Sequence, residues 1–141
     1  MKILIAVDGS KHTRKALDYL AKHRASLVDG HELVLVNVCS GIPPHAARHV
    51  SKDVLDSYYA EETGKVIEPV KLGLAERNIS GYTIDVRHGN AAEEILKSAN
   101  AAKADLIVMG THGHGIFGRA LMGSVATKVV AETDISVLLV Q

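Results

Sequence analysis

The chain has 141 residues with 16 basic and 16 acidic side chains, so its net charge is zero at neutral pH with histidines neutral. That balance argues against a general electrostatic grip on nucleic acid or anionic lipid, and the length suits a single domain, residues 1–141, able to bury a core without disulfide or metal staples. Aromatic content is 4% and there is no tryptophan, so the core must be aliphatic; the lone Cys39 has no intramolecular disulfide partner, and no apolar run reaches the length of a signal-peptide core or a membrane span, so a cytoplasmic protein is expected.

The first apolar run, Lys2–Val7, is nearly continuous in aliphatic residues and predicts a strand buried on both faces. Asp8-Gly9-Ser10 follows as a turn, and Ser10 is placed to cap a helix through about His23, with Ala16, Leu17, Leu20 and Ala21 on one face. A second strand is predicted over Glu32–Val38, then a loop, Ser40–Arg48, that contains two prolines. The segment from about Val50 to Arg77 reads as helix with Val54, Leu55, Tyr58, Val66, Ile67, Val70 and Leu74 available to the core, kinked or broken at Pro69. A third strand is predicted over Tyr82–Val86. Asn90 with Glu93 forms a capping-box pattern for a helix to about Ala102. A fourth strand, Asp105–Met109, precedes the glycine-rich stretch, and a last helix opens near Gly123 with Ala126, Val129 and Val130 inward before the final strand, Ile135–Val140. Five strand–helix alternations imply an open parallel α/β sheet with right-handed crossovers and helices on both faces.

Five glycines (110, 113, 115, 118 and 123) fall between the fourth strand and the last helix. In open α/β sheets, ligands sit beyond the carboxyl ends of the strands where the strand order reverses. Glycines there let a ligand approach the main chain, and the first amides of the following helix form an anion site; the plainer reading is a connecting loop whose glycines only make turns. Two familiar phosphate patterns fit poorly. Gly113-His-Gly115-Ile-Phe-Gly118 has dinucleotide-fingerprint spacing but sits mid-loop and late in the chain, and Gly118-x-x-x-x-Gly123-Ser124 lacks the lysine of a P-loop. His112 with His114, and His45 with His49, lack the further ligands that a structural zinc wants. Cys39 reads as a small buried hydrophobe rather than a nucleophile, and no nucleophile-elbow pattern appears.

A different frame fits: Gly110-Thr-His-Gly113, nine residues, then Gly123-Ser124. With the opening Ile3–Ser10, the run Leu33–Val38 and the closing Ser136–Val140, the chain resembles the universal stress protein family over essentially its whole length. The resemblance implies a Rossmann-like sheet of order 3-2-1-4-5, of the adenine nucleotide alpha hydrolase-like type, which places Asp8 and Gly110 at one crevice. It implies that Asp8 contacts a ribose and that Val38 meets adenine through its backbone. Met109, Gly110, His112 and Gly113 would wrap sugar and phosphates, while Gly123, Ser124, Val125 and Ala126 hold phosphates from the last helix. Some family members have threonine at the Ala126 position, so one hydroxyl contact is missing here. Arg119, the one cation in the loop, is read either as a solvated surface charge or as a contact to the outer phosphates. Asp8 also has a plain role open to it in the turn, and Ser124 as a helix cap. The implied ligand is ATP or another adenine nucleotide, with magnesium arriving on it rather than in a protein cage.

The implied assembly is a homodimer through the apolar, unblunted edge strand Ile135–Val140. The expected role is a nucleotide-dependent sensor or switch in the stress response, since the loop lacks the lysine and acidic metal ligands of efficient NTPases. The alternatives are a slow ATP hydrolase or nucleotidyl-transfer enzyme on the same fold, and a ligand-free interaction module.

Overall fold

A computed structural model of the chain describes residues 1–42, 44–112 and 122–141. Five parallel strands form one sheet in the order β3-β2-β1-β4-β5: β1 Lys2–Ala6, β2 Glu32–Cys39, β3 Thr83–His88, β4 Leu106–Gly110 and β5 Ser136–Val140. The helices are α1 Lys11–Lys22, α2 Arg24–Leu27, α3 Pro44–Ala47, α4 Lys52–Glu76, α5 Ala91–Ala102 and α6 Ser124–Glu132. β1 is central, with Ile3 opposite Leu33 on one side and Leu106 on the other. The strand order therefore reverses between β1 and β4, as the resemblance implied.

Side chains alternate across each strand, so the aliphatic runs supply two cores. On one face Ile3, Ile5 and Leu35 pack with Leu17 and Leu20 of α1 and with Ile67, Val70 and Leu74 of α4. On the other, Leu4, Val36 and Ile107 pack with Ile95 and Ala99 of α5 and with Ala126 and Val129 of α6. Each fully buried Leu, Ile or Val contributes roughly 1.5–3 kcal/mol relative to exposure. The two layers hold the carboxyl ends of β1 and β4 side by side.

The helices depart from the sequence reading in several places. α4 runs unbroken from Lys52 to Glu76 with Pro69 inside it. Pro69 lies on the exposed side, between buried Ile67 and Val70. Val54 and Tyr58 are exposed, and Leu55 and Val66 only half-buried. At 25 residues α4 spans about 37 Å, against about 26 Å for the eight-residue β2. The burying positions concentrate in the C-terminal part, from Ile67 to Leu74, and the N-terminal part has little sheet to cover. Val130 is exposed, one position past the buried stripe of α6 that Ala126 and Val129 occupy. β3 lies one to two residues later than expected, leaving Tyr82 outside it but packed against the first core. Asn90 caps α5 by accepting the Glu93 N–H at 3.0 Å, while the Glu93 carboxylate pairs with Lys128 Nζ at 3.3 Å.

Candidate functional site: a crevice where the sheet reverses

The crevice begins at the end of β1. Val7 N–H donates to Val36 O at 2.9 Å, and the buried Asn37 amide donates to Val7 O at 2.9 Å, so the chain stays against β2 past the formal end of the strand. Gly9 then takes a φ of +78°, a left-handed turn that favours glycine. That turn aims Asp8 at the start of α1. Asp8 Oδ1 accepts the Ser10 N–H at 2.9 Å and the Thr13 hydroxyl at 2.8 Å, and Thr13 Oγ1 in turn accepts the Asp8 N–H at 3.0 Å. The turn role of Asp8 is thus real. Ser10 occupies the N-cap position, but its side chain makes no capping bond and, among the described residues, its buried Oγ lacks a hydrogen-bond partner; Asp8 and Thr13 fix the turn that leads into α1 instead of capping its first amides.

The facing wall comes from β4 and α6. Gly110 has an ordinary backbone conformation, so it is not there for a positive φ; a Cβ at this position would lie 2.7 Å from His12 Cβ and 3.3 Å from the His12 carbonyl carbon. The glycine lets the first turn of α1 close against the end of β4. Beyond it, Thr111 N–H donates to Val140 O at 3.1 Å, and Gly123 N–H donates to Thr111 O at 2.7 Å. This pair of bonds ties both ends of the glycine loop to the sheet. α6 then starts from Gly123 with no side-chain cap. The first amides of a helix have no partner within it, so those of Ser124, Val125 and Ala126 carry the partial positive end of the helix dipole into the crevice.

Between these walls is a cavity of about 300 Å³. Asp8, Val38, Met109, Gly110 and His112 border it from the sheet, and Gly123, Ser124, Val125 and Ala126 from α6. Every predicted site residue within the described part of the chain meets there. Gly113 and Arg119 lie outside the described residues, as does His114. Thr13 and Thr111 also border the cavity, and Val36, Ala91 and Ile95 complete its apolar walls. The sequence reading passed over these. Thr13 could have been found as a hydroxyl five residues beyond an acid at a helix start, whereas Ile95 and Ala91 carry no mark that separates them from core. A small cavity with apolar walls and a few convergent polar groups is the common form of a small-molecule site.

His112 borders the cavity, and His12 stands behind it on α1. The rings of His12 and His112 are 5.1 Å apart with a tilt of 38°, and His112 Nδ1 is 3.0 Å from Thr111 Oγ1. Burial, then the neighbouring His112, Lys15 and Lys11, push the His12 pKa below its ordinary value against the pull of Asp8. Away from the crevice, Cys39 is half-buried at the end of β2, and burial together with the Glu62 charge pushes its thiol pKa up. His45 and His49 are exposed, and among the described residues no group of three or more His, Cys, Asp or Glu side chains is placed to hold a metal ion. Nor is any described helix long and apolar enough to cross a membrane.

Fold and crevice define an open, parallel α/β protein with a ligand-sized cleft at the strand-order reversal. Residues 1–141 match the model of the universal stress protein family. A universal stress protein of Thermus aquaticus is 34% identical over 143 residues, covering 99% of this chain and 97% of its own length. The chain therefore belongs to the universal stress protein family. The solved structure of the hypothetical protein MJ0577 superposes with a TM-score of 0.78 at 26% identity, over 99% of this chain and 94% of that one. A universal stress protein from Archaeoglobus fulgidus, solved in complex with dAMP, shares the fold with a TM-score of 0.64 at 19% identity, over 100% of this chain and 98% of that one.

Proposed function

We propose that the crevice binds an adenine nucleotide, ATP in its full form, and that the protein is a dimeric nucleotide-dependent sensor. The observation that carries this reading is the uncapped start of α6 across the cavity from Asp8, with apolar walls between them. Val36, Val38 and Ile95 offer a slot for a flat base. The Asp8 carboxylate is a hydrogen-bond acceptor suited to sugar hydroxyls. The amides at the start of α6 suit phosphate oxygens, each such bond contributing about 1.5–3 kcal/mol, and Gly113 and Arg119 would act at the same end. Magnesium would come with the nucleotide, taking its ligands from phosphate and water. The dAMP complex of the Archaeoglobus fulgidus relative supports an adenylate as the ligand class.

The binding test uses Ser124→Asp. Ser124 is exposed and opens α6, where an acid favours the helix through its dipole. The variant should be at least as stable as the wild type, yet bind ATP at least about tenfold more weakly, because two anions within a few ångströms repel even at high effective dielectric. Calorimetric titration and analysis of nucleotide released on heat denaturation read this directly. No adenine nucleotide bound at millimolar concentration, or equal affinity in the variant, would refute the reading. The dimer would form through β5, which ends the sheet with Val137, Leu138 and Leu139 half-buried. A second copy pairing there would cover an edge that otherwise invites uncontrolled pairing. Sedimentation as a monomer at micromolar concentration would remove that part.

A further inference from the structure

We propose that His12 and His112 form a proton-accepting pair that takes up about one proton when the phosphates of a nucleotide enter the crevice. On this basis the site favours ligands of higher phosphate charge and holds them more tightly as pH falls. The inference rests on the nucleotide reading and deepens it, since it assigns a role to a residue that does not itself border the cavity.

The geometry is a built one. Gly110 packs against the first turn of α1: a Cβ there would meet His12 Cβ at 2.7 Å and the His112 carbonyl oxygen at 3.3 Å. With α1 held close to the end of β4 in this way, the rings of His12 and His112 lie 5.1 Å apart. His112 borders the cavity at the end of β4, and His12 lies directly behind it on α1. Among the described residues, the buried His12 Nδ1 has no hydrogen-bond partner. Among the described residues, the charged and titratable groups facing His12 are Lys11 and Lys15 on its own helix, His112 two residues past the end of β4 and Asp8 on the turn after β1. Desolvation and the three cationic or titrating neighbours outweigh Asp8, so the imidazole is neutral near pH 7 when the crevice holds no anion. A polyphosphate at the start of α6 adds negative charge near His112 and, through the pair, near His12.

The sign follows from linkage. Binding raises the proton affinity of the pair, so protons in turn raise the affinity for nucleotide. For one proton taken up, affinity changes by at most about tenfold per pH unit. The window opens below neutrality, at the lowered pKa of His12 with the crevice empty, and closes at its higher bound value.

The test is calorimetric titration of the full chain with ATP at pH 7 in two buffers of different ionisation heat, which gives the protons exchanged per nucleotide. It is run on the wild type, His12→Asn and His112→Asn, with cAMP as a second ligand because its phosphodiester does not titrate near neutrality. Wild type should take up more protons per ATP than either variant, and its preference for ATP over adenosine should shrink several-fold in His12→Asn. Imidazole shifts followed by NMR against pH, with and without ATP, test the wild type alone in case a variant does not fold; the His12 titration should move up on binding. Nucleotide binding with the same proton count in all three chains, or an unmoved imidazole titration, would overturn the pair while leaving the nucleotide site standing. Failure of every adenine nucleotide to bind would overturn both.

Discussion

Replacing Gly110 by alanine separates two reasons for a glycine. Its backbone does not use the left-handed region, so restriction of the unfolded chain alone would make Gly110→Ala stabilising by about 0.4–1 kcal/mol. The structure predicts the opposite. The new methyl would stand 2.7 Å from His12 Cβ and 3.3 Å from two backbone atoms, none of them the far end of a flexible side chain. The first turn of α1 must shift, and overpacking of this kind costs typically 1–3 kcal/mol. At the usual unfolding entropy of about 2.1 cal/mol/K per residue, a chain of 141 residues should lose about 3–10 °C in Tm. Gly64→Ala is the internal control. Gly64 is inside α4, and nothing lies within 4 Å of a Cβ built there. Alanine should stabilise that helix by up to about 1 kcal/mol. Thermal melts by circular dichroism, with urea titrations at 25 °C, read both. If Gly110→Ala melts at or above the wild type, alongside Gly64→Ala, the close approach of α1 to β4 is not as described.

On α6, Val129→Ala should cost about 2 kcal/mol, because Val129 is fully buried, whereas Val130→Ala should fall within about 0.5 kcal/mol; urea unfolding of the two decides whether the stripe stops at Val129. Asp85 feels desolvation that pushes its pKa up, but hydrogen bonds from Ser98 and Arg87, with the Arg87 charge, hold it below the ordinary value. A carboxylate so depressed adds stability that is present above its unfolded pKa and is lost as pH falls through the folded one. The urea midpoint of Asp85→Asn should therefore fall less than that of the wild type between pH 5 and pH 3, and an equal fall would refute the assignment. Cys39, with its thiol pKa raised by burial and Glu62, should react with iodoacetamide at pH 7 more slowly than a free thiol in a peptide; a faster reaction would contradict the environment described.

The strands were legible because β1, β2 and β4 are covered on both faces and so write unbroken aliphatic runs into the sequence. β3 was harder to bound. As the edge strand it carries Asp85 and Arg87, which neutralise each other at 2.8 Å and leave no apolar signal for the strand's last residues. The exposure of Val54 and Tyr58 was not legible either, since periodicity says which face of a helix is apolar but not how far the sheet beneath it extends. At the crevice, Gly110 and Gly123 of the glycine spacing border the cavity, yet the reason for Gly110 lay in a helix nearly a hundred residues earlier in the chain. Thr13 was hidden for a related reason: it acts through Asp8, and the more obvious capping residue, Ser10, stood between them.

The bonds from Thr111 to Val140 and from Gly123 to Thr111 give the fold a collar. What enters the collar on one side leaves it on the other within a single hydrogen bond, so the sheet and α6 keep their positions whatever chain is spliced between. Lengthening a closed span is inexpensive, about 0.6 kcal/mol for each doubling. The stretch from residue 112 to residue 122 is thus an exchangeable cassette, and this scaffold could acquire a new ligand preference by replacing that cassette alone.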